Sequence, residues 1–302
     1  MNRLVVRLPK LKPKFVVQAF SEVYDWGLID LKIPDVHKTV TGAGIKICIV
    51  DSGASQHFEV QHAILKRKNF TLEKDDFDHL GHSTFVSGII AAQKNDDGII
   101  GVAPGAQLLF AKAMDKSGTG TPAALVNSIH WAIEQKVDII SISAGFFVDF
   151  KPLYEAVKAA YAKNIIVVAA AGNSGERYYD IAFPARYNEV IGVAAYDRNR
   201  QTASFSSRGV NVKCAMPGVD IYSTWLDQQY CRNNGTSFAA PMLSGICALI
   251  LAGHRTNPNP HTPCDTPAQM LEHLKKYAIP MGASRETGIG TINVVAAIGE
   301  GN

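Results

Sequence analysis

Five side chains in this sequence belong to the types that perform acyl transfer when they meet. They are Asp51 in "IVDSG", His79 and His82 in "DHLGHSTFVSG", Asn173 in "AAAGN" and Ser237 in "NGTSFAAP". A serine hydroxyl attacks a carbonyl only when an adjacent base takes its proton. A histidine does this well when a third group fixes its tautomer and stabilises its charge. The two histidines, three positions apart, also raise a metal pair, yet neither HExxH nor a cysteine pair accompanies them. Taken singly, each residue has an ordinary role as well: Asp51 as a turn former, Ser237 as a helix N-cap and Asn173 as a left-handed turn residue.

Elements that would position these groups are legible around them. Apolar runs at 45–50, 106–113, 138–143, 165–171 and 189–195 lack polar alternation, as parallel strands covered on both faces do. Segments 121–136 and 151–164 carry apolar residues at helical spacing, and a last helix is expected near 267–277, after a Pro-rich surface connection at 254–267. The expected fold class is therefore α/β: a three-layer, doubly wound, mainly parallel sheet with helices on both faces. In such sheets ligands bind beyond the carboxyl ends of the strands. Asp51 and Asn173 follow apolar runs directly, and His82 and Ser237 open apolar segments that read as helices, whose N-termini favour negative charge. "GAG" at 42–44 precedes its strand, so it is a turn and not a dinucleotide fingerprint.

The totals exclude several classes. At 302 residues, 47% hydrophobic and 19% charged, with net charge +3, the chain has an ordinary globular composition and no field that calls for nucleic acid. No run of about 18 apolar residues predicts a membrane span. Five basic residues (Arg3, Arg7, Lys10, Lys12 and Lys14) precede the first acid, Glu22, but prolines and lysines interrupt any signal-peptide core, so a cytoplasmic location is expected. The five cysteines lack metal-ligand spacing and read as reduced core residues. Two glycosylation triplets, at Asn69 and Asn234, are chance-level matches.

"IVDSG", "GHSTFVSG", "SISAG", "AAAGN" and "NGTSFAAP" resemble, in the same order, the sequence blocks of the subtilases, the subtilisin-like serine proteases. The resemblance runs from about Trp26 to Ile298 and includes "GIIGVAPGAQL" and "GIGTINVVAAI". It implies Asp51 as orienting carboxylate, His82 as general base, Ser237 as nucleophile and Asn173 as oxyanion-hole amide, in the chain order of subtilisin. It further implies that Gly118, Thr119 and Gly120 sandwich an extended peptide against Ser143, Ala144 and Gly145. Ala144, Ala170 and Gly172 would line the pocket for the residue before the scissile bond, with Ala182 near its base. Those small walls suggest a roomy pocket and a preference for large apolar side chains.

The sequence departs from the family pattern beside the site. Ser83 stands for a glycine, Phe85 for a second histidine, Phe238 for a methionine and Met242 for a histidine. Phe85 and Met242 are expected to pack near each other. The loop "QKNDDGI" resembles the family's strong calcium site, implying Asn95 as a ligand, carbonyls of Gln93, Asp97 and Ile99, Glu59 as the carboxylate and Glu22 as a further ligand. Only a short arm precedes the catalytic part, as in the intracellular subtilisins. The expected organisation is an N-terminal extension at 1–18, with "VVRLPKL" at 5–11 lying in the cleft as an inhibitory propeptide, and a catalytic domain at 19–302. The expected function is a broad serine endopeptidase acting through an acyl-enzyme, with an inactive or narrowly specific processing or binding protein as the alternative. Expected partners are protein or peptide substrates, with neither nucleic acid nor membrane, and a homodimer is left open.

Overall fold

The computed structural model describes residues 5–9, 12–15, 21–178, 180–257 and 263–299. Seven strands form the central sheet: β1 Lys46–Asp51, β2 Ile64–Asn69, β3 Gln107–Lys112, β4 Ile139–Ile142, β5 Ile166–Ala170, β6 Val190–Tyr196 and β7 Cys214–Pro217. Their order is β7-β6-β5-β4-β1-β3-β2, and every pairing is parallel. The chain runs from β1 out to one edge, then returns to place β4 on the other side of β1. That reversal opens the crevice in which a ligand fits beyond the strands' carboxyl ends.

Alternation along the strands divides the interior in two. Ile47 and Ile49 of β1 join a core with helices α1 His82–Ala91 and α4 Thr236–Thr256, whereas Cys48 and Val50 face the opposite core with α2 Pro122–Glu134 and α3 Lys151–Ala162. A further helix, α5 Pro267–Lys276, opens with a capping box between Thr266 and Gln269. The five expected strands and five expected helical segments are thus present, and where bounds were expected the ends shift by at most two residues.

Two sheet strands escape a hydrophobicity reading. Strand β2 is an edge strand whose four central residues are exposed, and β7 is only four residues long and ends in Pro217. Helix α4 is long and apolar enough to cross a membrane, with a window of mean hydropathy 1.7, but 94% of that window is buried inside the protein. It is apolar all round because the sheet and α1 enclose it.

All five cysteines are buried and unbridged. Burial pushes the Cys48 thiol well up and that of Cys214 to about 12, so both behave as small apolar groups.

Candidate active site

Asp51 is the last residue of β1 and His82 the first of α1, and both are fully buried. His82 Nδ1 lies 2.8 and 2.9 Å from the two Asp51 carboxylate oxygens, while His82 Nε2 is buried without a hydrogen-bond partner. A carboxylate gripping Nδ1 fixes its proton there and leaves Nε2 as the basic nitrogen.

A second buried carboxylate, Asp78, builds the helix start that carries His82. Its oxygens accept from the backbone N–H groups of Leu80, Gly81 and Thr84 and from the Thr84 hydroxyl, at 2.8–3.0 Å. Gly81 sits at φ +90° against the Trp225 ring, where a Cβ would lie 2.7 Å away, so the turn requires glycine. The Ser52 hydroxyl lies 3.1 Å from Asp51 Oδ1 and 2.9 Å from Asp78 Oδ1, and accepts from Ser83 N. The end of β1 and the start of α1 are thereby fastened together. Sequence reasoning passed over Asp78 and Ser52; the available signal was an aspartate three residues before a glycine at a helix start.

Ser237 sits in the first turn of α4. Five residues into that helix Pro241 has no N–H, so the Ser237 carbonyl loses its intrahelical donor. The Ser143 hydroxyl replaces it at 2.8 Å, and Ser237 Oγ in turn donates to the Ser143 carbonyl at 3.0 Å. Ser143 follows β4, so this exchange docks the serine onto the sheet's carboxyl edge. Asn173 follows β5. Its Oδ1 accepts from Thr236 N at 3.0 Å and Thr236 Oγ1 at 2.8 Å, while Thr236 Oγ1 also accepts from Gly172 N. With Oδ1 spoken for, the Asn173 NH₂ is the end left for another molecule, beside the N-terminus of α4. Thr236 is the residue that sequence reasoning missed here.

The two expected peptide-binding segments carry an extended chain in this structure, and it is the protein's own arm. Val6 and Arg7 pair antiparallel with Gly120 and Thr119, Leu8 N donates to Gly118 O at 2.9 Å, and Arg7 bridges Gly145 on the other side. Val6 and Leu8 are buried and Arg7 is exposed. Beyond Pro9, Lys14 and Phe15 pair with Arg232 and Cys231. Residues 1–4, 10, 11 and 16–18 of the expected extension, and 19 and 20 after it, lie outside the described residues.

Ala170 ends β5 and Ala144 follows β4, while Gly145 and Gly172 approach Ala182: a Cβ on Gly172 would lie 3.4 Å from Ala182 Cβ, and one on Gly145 3.1 Å from the same atom. Phe147 points to the same spot, its Cζ 3.5 Å from the Gly172 Cβ position, and stacks on Tyr178 with centroids 3.9 Å apart. An aromatic side chain therefore stands beside these glycine and alanine residues.

His79 turns away from His82 and pairs with Asp75 at 2.9 Å on the surface, so the two histidines form no metal pair. Phe85 and Met242 share one apolar cluster. The ring partner of Phe85 is Phe238, at 4.4 Å, whereas Met242 reaches toward Gly27, where a Cβ would lie 2.7 Å from its Cε.

The residues expected around calcium also converge. Buried Glu59 accepts from Tyr230 OH (2.7 Å), Ile99 N (3.1 Å) and Asn95 Nδ2 (3.2 Å), Glu22 Oε1 accepts from Asn95 N, Asp97 N donates to Asn95 Oδ1, and Gln93 N donates to the Glu59 carbonyl. Burial raises the Glu59 pKa, and its donors are all neutral. An oxygen-only set around a buried carboxylate fits a hard cation by chemistry. Among the described residues no three His, Cys, Asp or Glu side chains cluster as a ready metal cage, so backbone carbonyls would have to complete it.

A serine docked on the carboxyl edge of a parallel sheet, near a buried histidine held by an aspartate, defines a serine hydrolase of α/β architecture. The chain belongs to the subtilase family, whose model, "Subtilase family", matches residues 42–290. It is 39% identical to "Subtilisin DY" of Bacillus licheniformis over 260 residues, covering 85% of this chain and 91% of that one. To "Intracellular serine protease" of Paenibacillus polymyxa it is 38% identical, over 85% of this chain and 81% of the relative. To "Major intracellular serine protease" of Bacillus subtilis (strain 168) it is 41% identical, over 74% of each. The chain is accordingly a subtilisin-like serine protease.

Proposed function

We propose that this protein is an endopeptidase that cleaves peptide bonds through an acyl-enzyme formed on Ser237. His82 Nε2 takes the Ser237 proton once the hydroxyl turns away from the Ser143 carbonyl. Asp51 holds the imidazole and offsets its charge, and the Asn173 NH₂ and Ser237 N–H receive the oxyanion. The observation that carries this reading is the buried His82, gripped at Nδ1 by Asp51 and unpartnered at Nε2. Removing an oxyanion amide costs about 10²–10³ in kcat, a magnitude known from a subtilisin and not obtained from these distances.

Substrate lies extended between Gly118–Gly120 and Ser143–Gly145, as Val6–Leu8 does, so backbone pairing supplies affinity with little sequence preference. The slot formed by Ala144, Ala170, Gly172 and Ala182 favours a large, flat apolar side chain before the scissile bond. The same strand pairing makes the segment 1–18 an inhibitory arm, with Pro9 presenting a bond that fits the site badly. Ca²⁺ sits with Glu59, Asn95 and Glu22 and the carbonyls of Gln93, Asp97 and Ile99. The intracellular relatives support a cytoplasmic location.

A fluorophosphonate probe tests the chemistry. The wild-type chain takes the label and Ser237→Ala does not. A wild-type chain that resists the probe while remaining folded would instead be a binding or processing protein that keeps the fold.

A further inference from the structure

We infer, on the reading that substrate follows the path of Val6–Leu8, a further subsite one residue upstream of that strand, taking a large apolar side chain. A cavity of about 550 Å³ opens beside Val5, walled by Phe70 and Leu72 from the loop after β2, by Ala113 and by Ala124 of α2. Val5 itself breaks the alternation of the arm: Val6 and Leu8 point inward and Arg7 is exposed, so Val5 should be exposed too, yet it is partly covered at this cavity. The space remains with Val5 in place, which means a valine leaves it largely unfilled. Ala113 and Ala124 supply the room, and Leu72, wholly solvent-exposed, stands at the rim as an apolar surface that a ligand would cover.

The carboxylates of the cavity are already engaged. Asp115 Oδ1 receives Ser117 N, Ser117 Oγ and Thr119 N at 2.6–3.1 Å, and Glu73 is held by Lys112 Nζ and Lys116 N. What remains for a ligand is chiefly apolar wall, with the Lys116 side chain also in the lining. The occupant is the substrate side chain equivalent to Val5, and phenylalanine or leucine suits a cavity of this size and character.

The test uses the full chain, allowed to process itself until the fraction labelled by the fluorophosphonate is constant. Three fluorogenic peptides share the residues that occupy the Val6–Leu8 path and differ upstream: one unextended, one extended by Phe and one by Asp. Extension by Phe is expected to raise kcat/KM roughly tenfold, and extension by Asp to leave it unchanged. Leu72→Asp, at a position where folding loses nothing, and Ala124→Phe, which fills the cavity, should each remove the gain. Equal rates for the unextended and Phe-extended peptides, or an equal gain from Asp, overturn the subsite and leave the peptidase reading intact. Cleavage of none of the three overturns both.

Discussion

Phe238 occupies the position directly after Ser237, its ring 5.8 Å from His82 and 4.4 Å from Phe85, with Phe85 in turn edge-on to Trp225 at 6.3 Å. Three aromatic rings thus back the imidazole, where the family pattern has a thioether and a second imidazole. A thioether beside a nucleophile is open to oxidation and a phenyl ring is not. Millimolar peroxide should therefore leave the activity of this chain largely intact over a period that inactivates Phe238→Met. Equal inactivation of the two, followed as residual peptidase activity, would refute this. The same aromatic wall keeps water from the far side of His82, which favours electrostatic interaction between His82 and Asp51 over solvation of either.

At the scale of elements, the arm and the cleft decide the behaviour. Val6–Arg7 uses the backbone positions that a substrate would use, so deleting residues 1–18 should raise the initial rate on a short peptide, most of all before self-processing. An unchanged progress curve would end the inhibitory role.

How much of this was readable in the sequence follows from what each element buries. Strands β1, β3, β4, β5 and β6 lie inside two apolar layers, so their Ile and Val runs announced them. Strand β2, with a polar and exposed centre at the sheet's edge, has no such signature. Asp51, His82, Asn173 and Ser237 could be picked out because each adjoins an apolar run or opens a helix. Ser52 and Thr236 could not, because their work is done through contacts that appear only after folding: Thr236 Oγ1 on Asn173, and the Ser52 hydroxyl shared by two carboxylates. The placing of Phe147 beside Gly172 was likewise hidden, since it goes with a stack on Tyr178, thirty-one positions further on.

At the scale of the whole molecule, two cores sandwich one sheet, and the Glu59 loop ties the N-terminal segment to them. Glu22 N donates to Asp96 O and Val23 N to Gly98 O, so the chain leaving the arm is fastened to the proposed calcium loop. A cation there would bind the folded chain alone and stabilise it by mass action, about 2.7 kcal/mol at a hundredfold excess over its dissociation constant. Calcium at such an excess should raise the melting temperature by roughly 5 °C, and a chelator should reverse the shift. Melting curves that superimpose with and without calcium would remove the metal from this account.

On the proposed inhibitory role, the covalent joining of the arm to the cleft that it lines sets a threshold that free inhibitors do not have. A tethered strand competes at an effective concentration on the order of millimolar, whatever the number of molecules present. Dilution cannot release it, and a peptide at micromolar levels cannot displace it. A freshly made copy would be as silent alone as in a crowd, until a cut in the tether turns a unimolecular contact into one that diffusion can dissolve.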